Sequence, residues 1–344
     1  MKVRRSYVRI IYEGRDITGE ITPYLKSASY TDNLDKGDSA SFTLLGDKWI
    51  NQWPILKGDK FQMEIVVTNW LQEGDDRSLN CGTFTVDDIS FSGAPDLMTV
   101  SGTSMDISKG LKDVKRDGTW ENISLREVAQ EIAKKNSMRL FYGYEKDILY
   151  DKIDQIKESD SHLLYRIARE QGLKMKITDS QIIIFDEEKY ESLESIISFN
   201  KSSLIKYNLQ CDDLDVYDTC EITYYDPDLG EQLKGRFEAP ASRLYKAKTG
   251  KVLYKNMDTG VTGRTKEEKE KFLDERAKKL LRSSNRNETK VSISNMGDVG
   301  YAPGLTMSLN GFGIYSGTYL IESVTHSLDK GYICSISGKR RLAF

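Results

Sequence analysis

Short runs in which apolar and polar residues alternate, each bounded by turn residues, fill the first hundred positions. "YVRIIYE", "SASFTLLG", "FQMEIVV", "GTFTVDDISFS" and "LMTVSGTS" carry the two-residue period of half-buried strands, punctuated by "DNLDKGD" and "GAPD". Residues 1 to about 105 therefore predict an all-β unit. The period changes after residue 121. In "NISLREVAQEIAKKN", Ser124 and Glu127 have the spacing of a capping box, and Leu125, Val128, Ala129 and Ile132 make a helical stripe. A second helix is predicted in "ESDSHLLYRIAREQG", capped by Ser159, with Leu163, Leu164, Ile167 and Ala168 on one face and Gly172 as its stop. "LKMKITDSQIIIFD" then reads as a hairpin turning at Asp179-Ser180. Residues from about 106 to 195 predict a small α/β unit.

From about 196 the strand pattern returns in "SLIKYNLQ" and "TCEITYYD", breaks off between about 226 and 285, and resumes to the end. The break holds "TKEEKEKFLDERAKKLLRSS", where Thr265 and Glu268 predict another capping box and Leu273, Ala277, Leu280 and Leu281 form a narrow apolar stripe. A helix is thus expected inside the second β unit.

The two β units resemble each other. Residues 82–92, "GTFTVDDISFS", align with 317–327, "GTYLIESVTHS", and both copies reach "SG" shortly afterwards, at Ser101-Gly102 and Ser337-Gly338. Upstream, "PILKGDKFQM" resembles "APGLTMSL", and "NLDKGDSASFTL" resembles "DLDVYDTCEITY", matching Asp38, Phe42 and Thr43 to Asp218, Ile222 and Thr223. Four pieces in the same order predict two related β-barrels, with the α/β unit between them and the helical insertion in the second.

Composition adds little chemistry. The chain has 344 residues, 30% of them charged, and a net charge of −3, so no basic field draws it to nucleic acid or an anionic membrane. Cys81, Cys211, Cys220 and Cys334 form no zinc pattern, and His162 and His326 fall in different units, so neither a metal nor a cofactor is expected. His326 lies among hydroxyls in "ESVTHS", as a catalytic base would, but the repeat sets it where Phe91 stands in the first copy, which marks a packing position. His162 reads as a surface residue, and Cys220, matched to Ala40, as a small core residue. Gly311, Gly313 and Gly317 give the wrong spacing for a dinucleotide loop and predict a hairpin turn. The carboxylates at Asp87-Asp88 and in "DDLD" from Asp212 to Asp215 read as strand edges and turns. Trp49, Trp53, Trp70 and Trp120 lack basic neighbours in a nucleic-acid pattern and read as core or interface. No catalytic, cofactor-binding or metal residue is expected.

"GRDITGEITPYLKSASYTDNLDKGDSASFTLLGD", "KESDSHLLYRIAREQGLKMKI" and "APGLTMSLNGFGIYSGTYLIESVTHSLDKGYICSISGKRR" together resemble the phage late control gene D family. These are baseplate hub proteins of contractile tails, similar in fold to the T4 hub and to the N-terminal half of type VI secretion spike proteins. The resemblance implies a non-enzymatic homotrimer between a sixfold tail tube, or its initiator, and a threefold central spike, with baseplate wedge proteins as further partners. It applies equally to a phage and to a phage-tail-like bacteriocin, assembled in the host cytoplasm and released by lysis. The chain departs from spike-fused members in stopping at Phe344, which leads us to expect a separate spike. The alternatives are a tail-associated cell-wall hydrolase and a peptidoglycan-binding module using residues 106–195.

Overall fold

The computed structural model describes residues 3–344 apart from 52, 54, 105–109, 112, 113, 179, 213, 241–249 and 259. The expected turn at Asp179 and one acid of the "DDLD" run, Asp213, lie outside the described residues. Strands account for 50% of the chain and helices for 19%, so the protein is mainly β.

Among the described residues thirteen strands build the largest sheet, twelve of them longer than two residues. The first six are β1 (Arg5–Tyr12), β2 (Leu25–Asn33), β3 (Ser39–Leu45), β4 (Lys60–Thr68), β5 (Arg77–Ser92) and β6 (Leu97–Thr103). The last six are β7 (Ile197–Asn200), β8 (Lys206–Cys211), β9 (Thr289–Met296), β10 (Thr306–Asn310), β11 (Gly317–Leu328) and β12 (Tyr332–Arg340). Their order is β8-β9-β12-β11-β2-β3-β6-β5-β4-β1, ending on the two-residue strand Arg15–Asp16, while β10 and β7 branch from β11. Among the described residues no sheet closes on itself, so the strands expected in two barrels run instead through one open sheet.

Each half follows the same path. The first runs β2-β3-β6-β5-β4-β1 and the second β8-β9-β12-β11-β10-β7, each strand six places after its counterpart. The repeated hairpin also keeps one register. Val86 pairs with Gly102 and Asp88 with Ser101, leaving Asp87 bulged; Ile321 pairs with Gly338 and Ser323 with Ser337, leaving Glu322 bulged. Neither glycine accepts a side chain without backbone movement. A Cβ on Gly102 would lie 2.6 Å from the Thr85 carbonyl oxygen and 2.9 Å from the Phe61 ring; one on Gly338 would lie 2.8 Å from both the Leu320 carbonyl oxygen and Met307 Cε. Phe61 and Met307 are themselves counterparts, opposite Phe84 and Tyr319. The halves differ at one end, where β1 is antiparallel to β4 but β7 is parallel to β10.

One upstream match fails. Thr219–Asp226, expected as the counterpart of β3, pairs among the described residues only with Glu231–Glu238 and Val252–Met257, in a separate sheet. The true counterpart is β9: Ala40 lies opposite Gly102 and Val291 opposite Gly338, and the hydroxyl pair Thr43–Thr99 (3.0 Å) recurs as Ser294–Ser335 (3.1 Å). Any half-buried strand shows the same alternation, so a period-two match cannot tell which sheet it joins.

Among the described residues apolar burial falls into three cores. The first is shared by both halves of the large sheet, from Val8 to Ile336. The second packs α1 (Leu125–Lys135) and α2 (Asp160–Glu170) with the paired strands Lys115–Ser124 and Leu149–Ser159 and the sheet formed by Arg139–Gly143, Lys174–Ile177 and Gln181–Phe185. Both helices are capped as their sequences predict: Ser124 and Glu127 make the reciprocal capping box, and Ser159 Oγ accepts from the His162 backbone N–H. The third core sets Leu273, Ala277 and Leu281 of α4 (Lys266–Asn285) against Cys220, Ile222 and Leu233. Gly235 permits this contact, because a Cβ there would lie 2.4 Å from the α4 backbone at Leu273. Thr265 caps α4, but Glu268 returns its bond to the Arg264 N–H rather than to that of Thr265. A short helix, α3 (Glu187–Glu191), connects the second core to the last.

Candidate interaction surface

The two halves meet along one seam. Residues 323–328 of β11 pair antiparallel with residues 28–33 of β2, placing His326 directly opposite Tyr30. β11 is long enough to pair with β10 through residues 317–320 and then with β2, while β12 covers its other edge. Across the seam Thr31 Oγ1 lies 3.0 Å from Thr325 Oγ1, and Trp70 of the first half donates to the Gly297 carbonyl at 2.6 Å.

His326 is fully buried in this seam. Its ring lies between those of Tyr30 and Tyr332, both at 5.9 Å, and Nδ1 is 2.7 Å from the Tyr332 hydroxyl and 3.2 Å from Cys334 Sγ. Burial lowers the His326 pKa to about 4 and pushes the Cys334 thiol up to about 11. At neutral pH both are uncharged, the opposite of an activated Cys–His pair. His326 is thus packed within the seam, whereas Phe91, its counterpart in the first half, is 42% exposed.

The other singled-out residues are dispersed. His162 is exposed on the first turn of α2, with Nδ1 2.8 Å from Glu158. Cys220 is buried in the third core, where burial raises its thiol to about 11, and it is not the counterpart of Ala40. Trp49 is buried and donates to the Leu45 carbonyl at 3.0 Å, Trp53 packs edge-on against Tyr12, and Trp120 donates to Glu131 at 2.9 Å. Gly311, Gly313 and Gly317 turn the chain from β10 into β11. Among the described residues no three of His, Cys, Asp and Glu are grouped to hold a metal ion. No helix among them is long and apolar enough to cross a membrane.

Ion pairs across long sequence separations tie the other two cores to the sheet. Lys176 reaches Asp32 (3.1 Å), Asp38 (2.9 Å) and the Asn33 carbonyl (2.6 Å), and Lys174 reaches Asp35 (3.1 Å), fixing the second core to the loop after β2. Arg282 and Arg286 of the α4 segment both pair with Glu191 of α3, Arg286 also with Glu187, and Arg286 donates to the Arg340 carbonyl of β12. Burial raises the Glu191 pKa, with the two guanidiniums opposing it. Arg276 donates to the carbonyls of Glu170 and Gly260, and burial lowers its pKa to about 10. Sequence spacing carries no trace of these partners, most of which are some 90 to 140 positions apart.

What remains open is the sheet's rim. The edge of β8 away from β9, and the edge of β5 residues 88–92 away from β6, have no strand partner among the described residues, and Phe91 and Tyr207 stand exposed there.

This fold, a long open sheet of duplicated halves with two smaller cores tied to it, is similar to that of solved tail proteins. The chain superposes on a tail protein from Neisseria meningitidis MC58 with a TM-score of 0.68 and 15% identity, over 97% of this chain and 96% of that one. The 43 kDa tail protein of prophage MuSo2 from Shewanella oneidensis gives 0.68 and 15% over 98% of both. A type VI secretion component of E. coli gives 0.52 and 10%, over 93% and 74%. In sequence the chain is 30% identical over 171 residues to a probable baseplate hub protein of Escherichia phage 186, and 28% identical over 177 residues to that of phage P2. These matches span about half of this chain and 42% and 43% of the curated relatives. No family model matches. The chain is a relative of the phage baseplate hub proteins, as its motifs indicate.

Proposed function

We propose that the protein is a structural baseplate hub of a contractile tail, which assembles as a homotrimer and adapts a sixfold tube to a threefold spike. The observation that carries this reading is the identical strand order and hairpin register of the two halves. Three copies of a chain with two equivalent halves offer six similar surfaces on one side, while the parts present once per chain keep a threefold on the other. The tube protein or its initiator would meet the six halves and the spike the threefold face. Wedge proteins would meet the parts outside the ring.

In this reading residues 1–105 and the β strands of 196–344 are the two tube-like units, 106–195 is an α/β domain between them, and α4 belongs to an insertion in the second unit. Because Thr219–Asp226 pairs outside the large sheet, the insertion is taken to begin near 212 rather than 226. The role is architectural: the two buried groups most like a catalytic pair, His326 and Cys334, are both neutral and lock the seam. The protein would act in the baseplate of a particle assembled in its host.

The mass of the purified chain in solution tests the proposal. A particle of three 39.2 kDa chains that appears in electron micrographs as a six-lobed ring supports it. A monomer at all concentrations, or release of soluble fragments from purified peptidoglycan, would overturn it in favour of a wall-directed enzyme or binding module.

A further inference from the structure

Both halves end the open face of their sheet on the same kind of apolar pair. On the side away from the first core, opposed residues of β3 and β6 are hydroxyls, Ser39–Thr103, Ser41–Ser101 and Thr43–Thr99, and β9 and β12 continue them as Ser292–Ser337 and Ser294–Ser335. The next step along each ladder breaks the pattern, with Leu45 opposite Leu97 and Met296 opposite Ile333. Because Ala40 lies opposite Gly102 and Val291 opposite Gly338, Leu45 corresponds to Met296 and Leu97 to Ile333. Leu45 and Met296 are each 37% exposed and Ile333 is 40% exposed, while Leu97 is half-buried. A glycine and an aspartate follow in both copies, Gly46-Asp47 and Gly297-Asp298. Each glycine N–H donates across its ladder, Gly46 to the Asp96 carbonyl at 2.9 Å and Gly297 to the Tyr332 carbonyl at 2.8 Å. A single exposed leucine on a surface carries no message, but an apolar pair that recurs at one register in both halves is a built feature.

The parts that occur once per chain join these strands at their other ends. β3 begins at Ser39 and β6 ends at Thr103, next to Asp38, which Lys176 of the second core holds. β9 begins at Thr289 and β12 ends at Arg340, whose carbonyl accepts from Arg286. We infer that the Leu45–Leu97 and Met296–Ile333 pairs are two equivalent anchors for a sixfold partner, a ring of identical tube or initiator subunits, each of which seats one apolar side chain on one pair. This rests on the hub reading and gives it a direction: the tube meets this end of the strands, and the spike lies towards the α/β unit and the insertion. Symmetry selects the occupant, because six identical subunits meet both pairs alike, whereas a threefold partner would have to treat them differently. Charge adds to its chemistry. Asp47 and Asp96 are exposed beside the first pair and Asp329 beside the second, so the apolar contact on the partner is flanked by lysine or arginine. At the second pair this field is partly offset by exposed Lys330 and by Arg4, whose Nη2 lies 2.7 Å from Met296 Sδ. The apolar contact therefore carries the equivalence, and the charge sets orientation.

Photo-crosslinking of the full chain tests the placement. The photoreactive residue p-benzoylphenylalanine is set at position 45 or 333, and as a control at 254 in the strand Val252–Met257, where Tyr254 is 70% exposed. Each variant is co-expressed with the tail tube protein and the tube initiator of the same particle. Positions 45 and 333 should cross-link to one of these two proteins, and position 254 to neither. Leu45→Asp and Met296→Asp, both at exposed positions, should leave the oligomeric state of the chain alone unchanged. Each should weaken binding of the tube partner by about tenfold, to a similar extent, and the double variant should bind more weakly than either. A hub that assembles and binds its tube partner but cross-links only through position 254, or that loses binding from only one of the two substitutions, would overturn this placement and leave the hub reading standing. Cross-links from position 45 to a second copy of the chain would overturn it likewise, making this end a joint between hubs. A chain that stays monomeric and binds neither tube protein nor initiator would overturn both.

Discussion

Replacing His326 by phenylalanine separates the message of the repeat from that of the seam. The first copy carries Phe91 at this position, which by itself predicts tolerance. Phe91, however, is 42% exposed, whereas His326 is fully buried and its Nδ1 is 2.7 Å from the hydroxyl of Tyr332, itself 3% exposed. Removing the imidazole takes away that partner, and a buried hydroxyl so deprived costs about 1–3 kcal/mol. At pH 7, His326→Phe should therefore be less stable than wild type by that amount. Acid reverses the balance. The folded pKa of about 4 lies below the unfolded value of 6.5, so the unfolded chain binds the proton more readily and wild-type stability falls as pH drops from 6.5 towards 4. Below 4 both states are protonated and this loss stops. At about 1.4 kcal/mol per pKa unit, the loss between pH 7 and 4.5 is about 2 kcal/mol, which the phenylalanine variant escapes. The gap between the two proteins should close or invert near pH 4.5. Urea unfolding followed by tryptophan fluorescence is a suitable assay, because Trp70 packs 5.4 Å from Tyr332 and reports on this seam. A stability difference independent of pH would show that His326 is not held neutral by burial.

Gly102→Ala and Gly338→Ala should each lower stability by about 1–3 kcal/mol in thermal unfolding, because the added Cβ meets a backbone carbonyl at 2.6 or 2.8 Å; an effect at one glycine alone would mean that the two hairpins are not equivalent. Ser159→Ala should cost about 1 kcal/mol by removing the cap on the His162 N–H, and Ser161→Ala much less; denaturant unfolding of both decides between them. Glu191→Ala leaves Arg282 and Arg286 buried without their shared carboxylate and should destabilise by about 3–5 kcal/mol, raising protease sensitivity around α4, whereas an unchanged melting temperature would reduce the cluster to a surface network.

Local chemistry was legible wherever the signal lay within a few residues. The caps at Ser124 and Ser159, the stripes of α1, α2 and α4, most strands of the first half and the repeated hairpin are all written at spacings of two to four positions. The hairpin was legible even to its glycines, because bulge, register and close packing leave Gly102 and Gly338 no side-chain alternative. The strand Leu25–Asn33 was not legible: "LKSASYTDN" has few apolar residues, and its place comes from pairing with β11 nearly three hundred positions away. The match of Thr219–Asp226 to β3 failed for the same cause, since alternation declares a strand but not its neighbour. The seam, the burial of His326 against Tyr30, and the buried Glu191 cluster were decided by tertiary structure alone. Periodicity along a chain records which face of a strand or helix is covered; which surface does the covering depends on partners that no local spacing encodes.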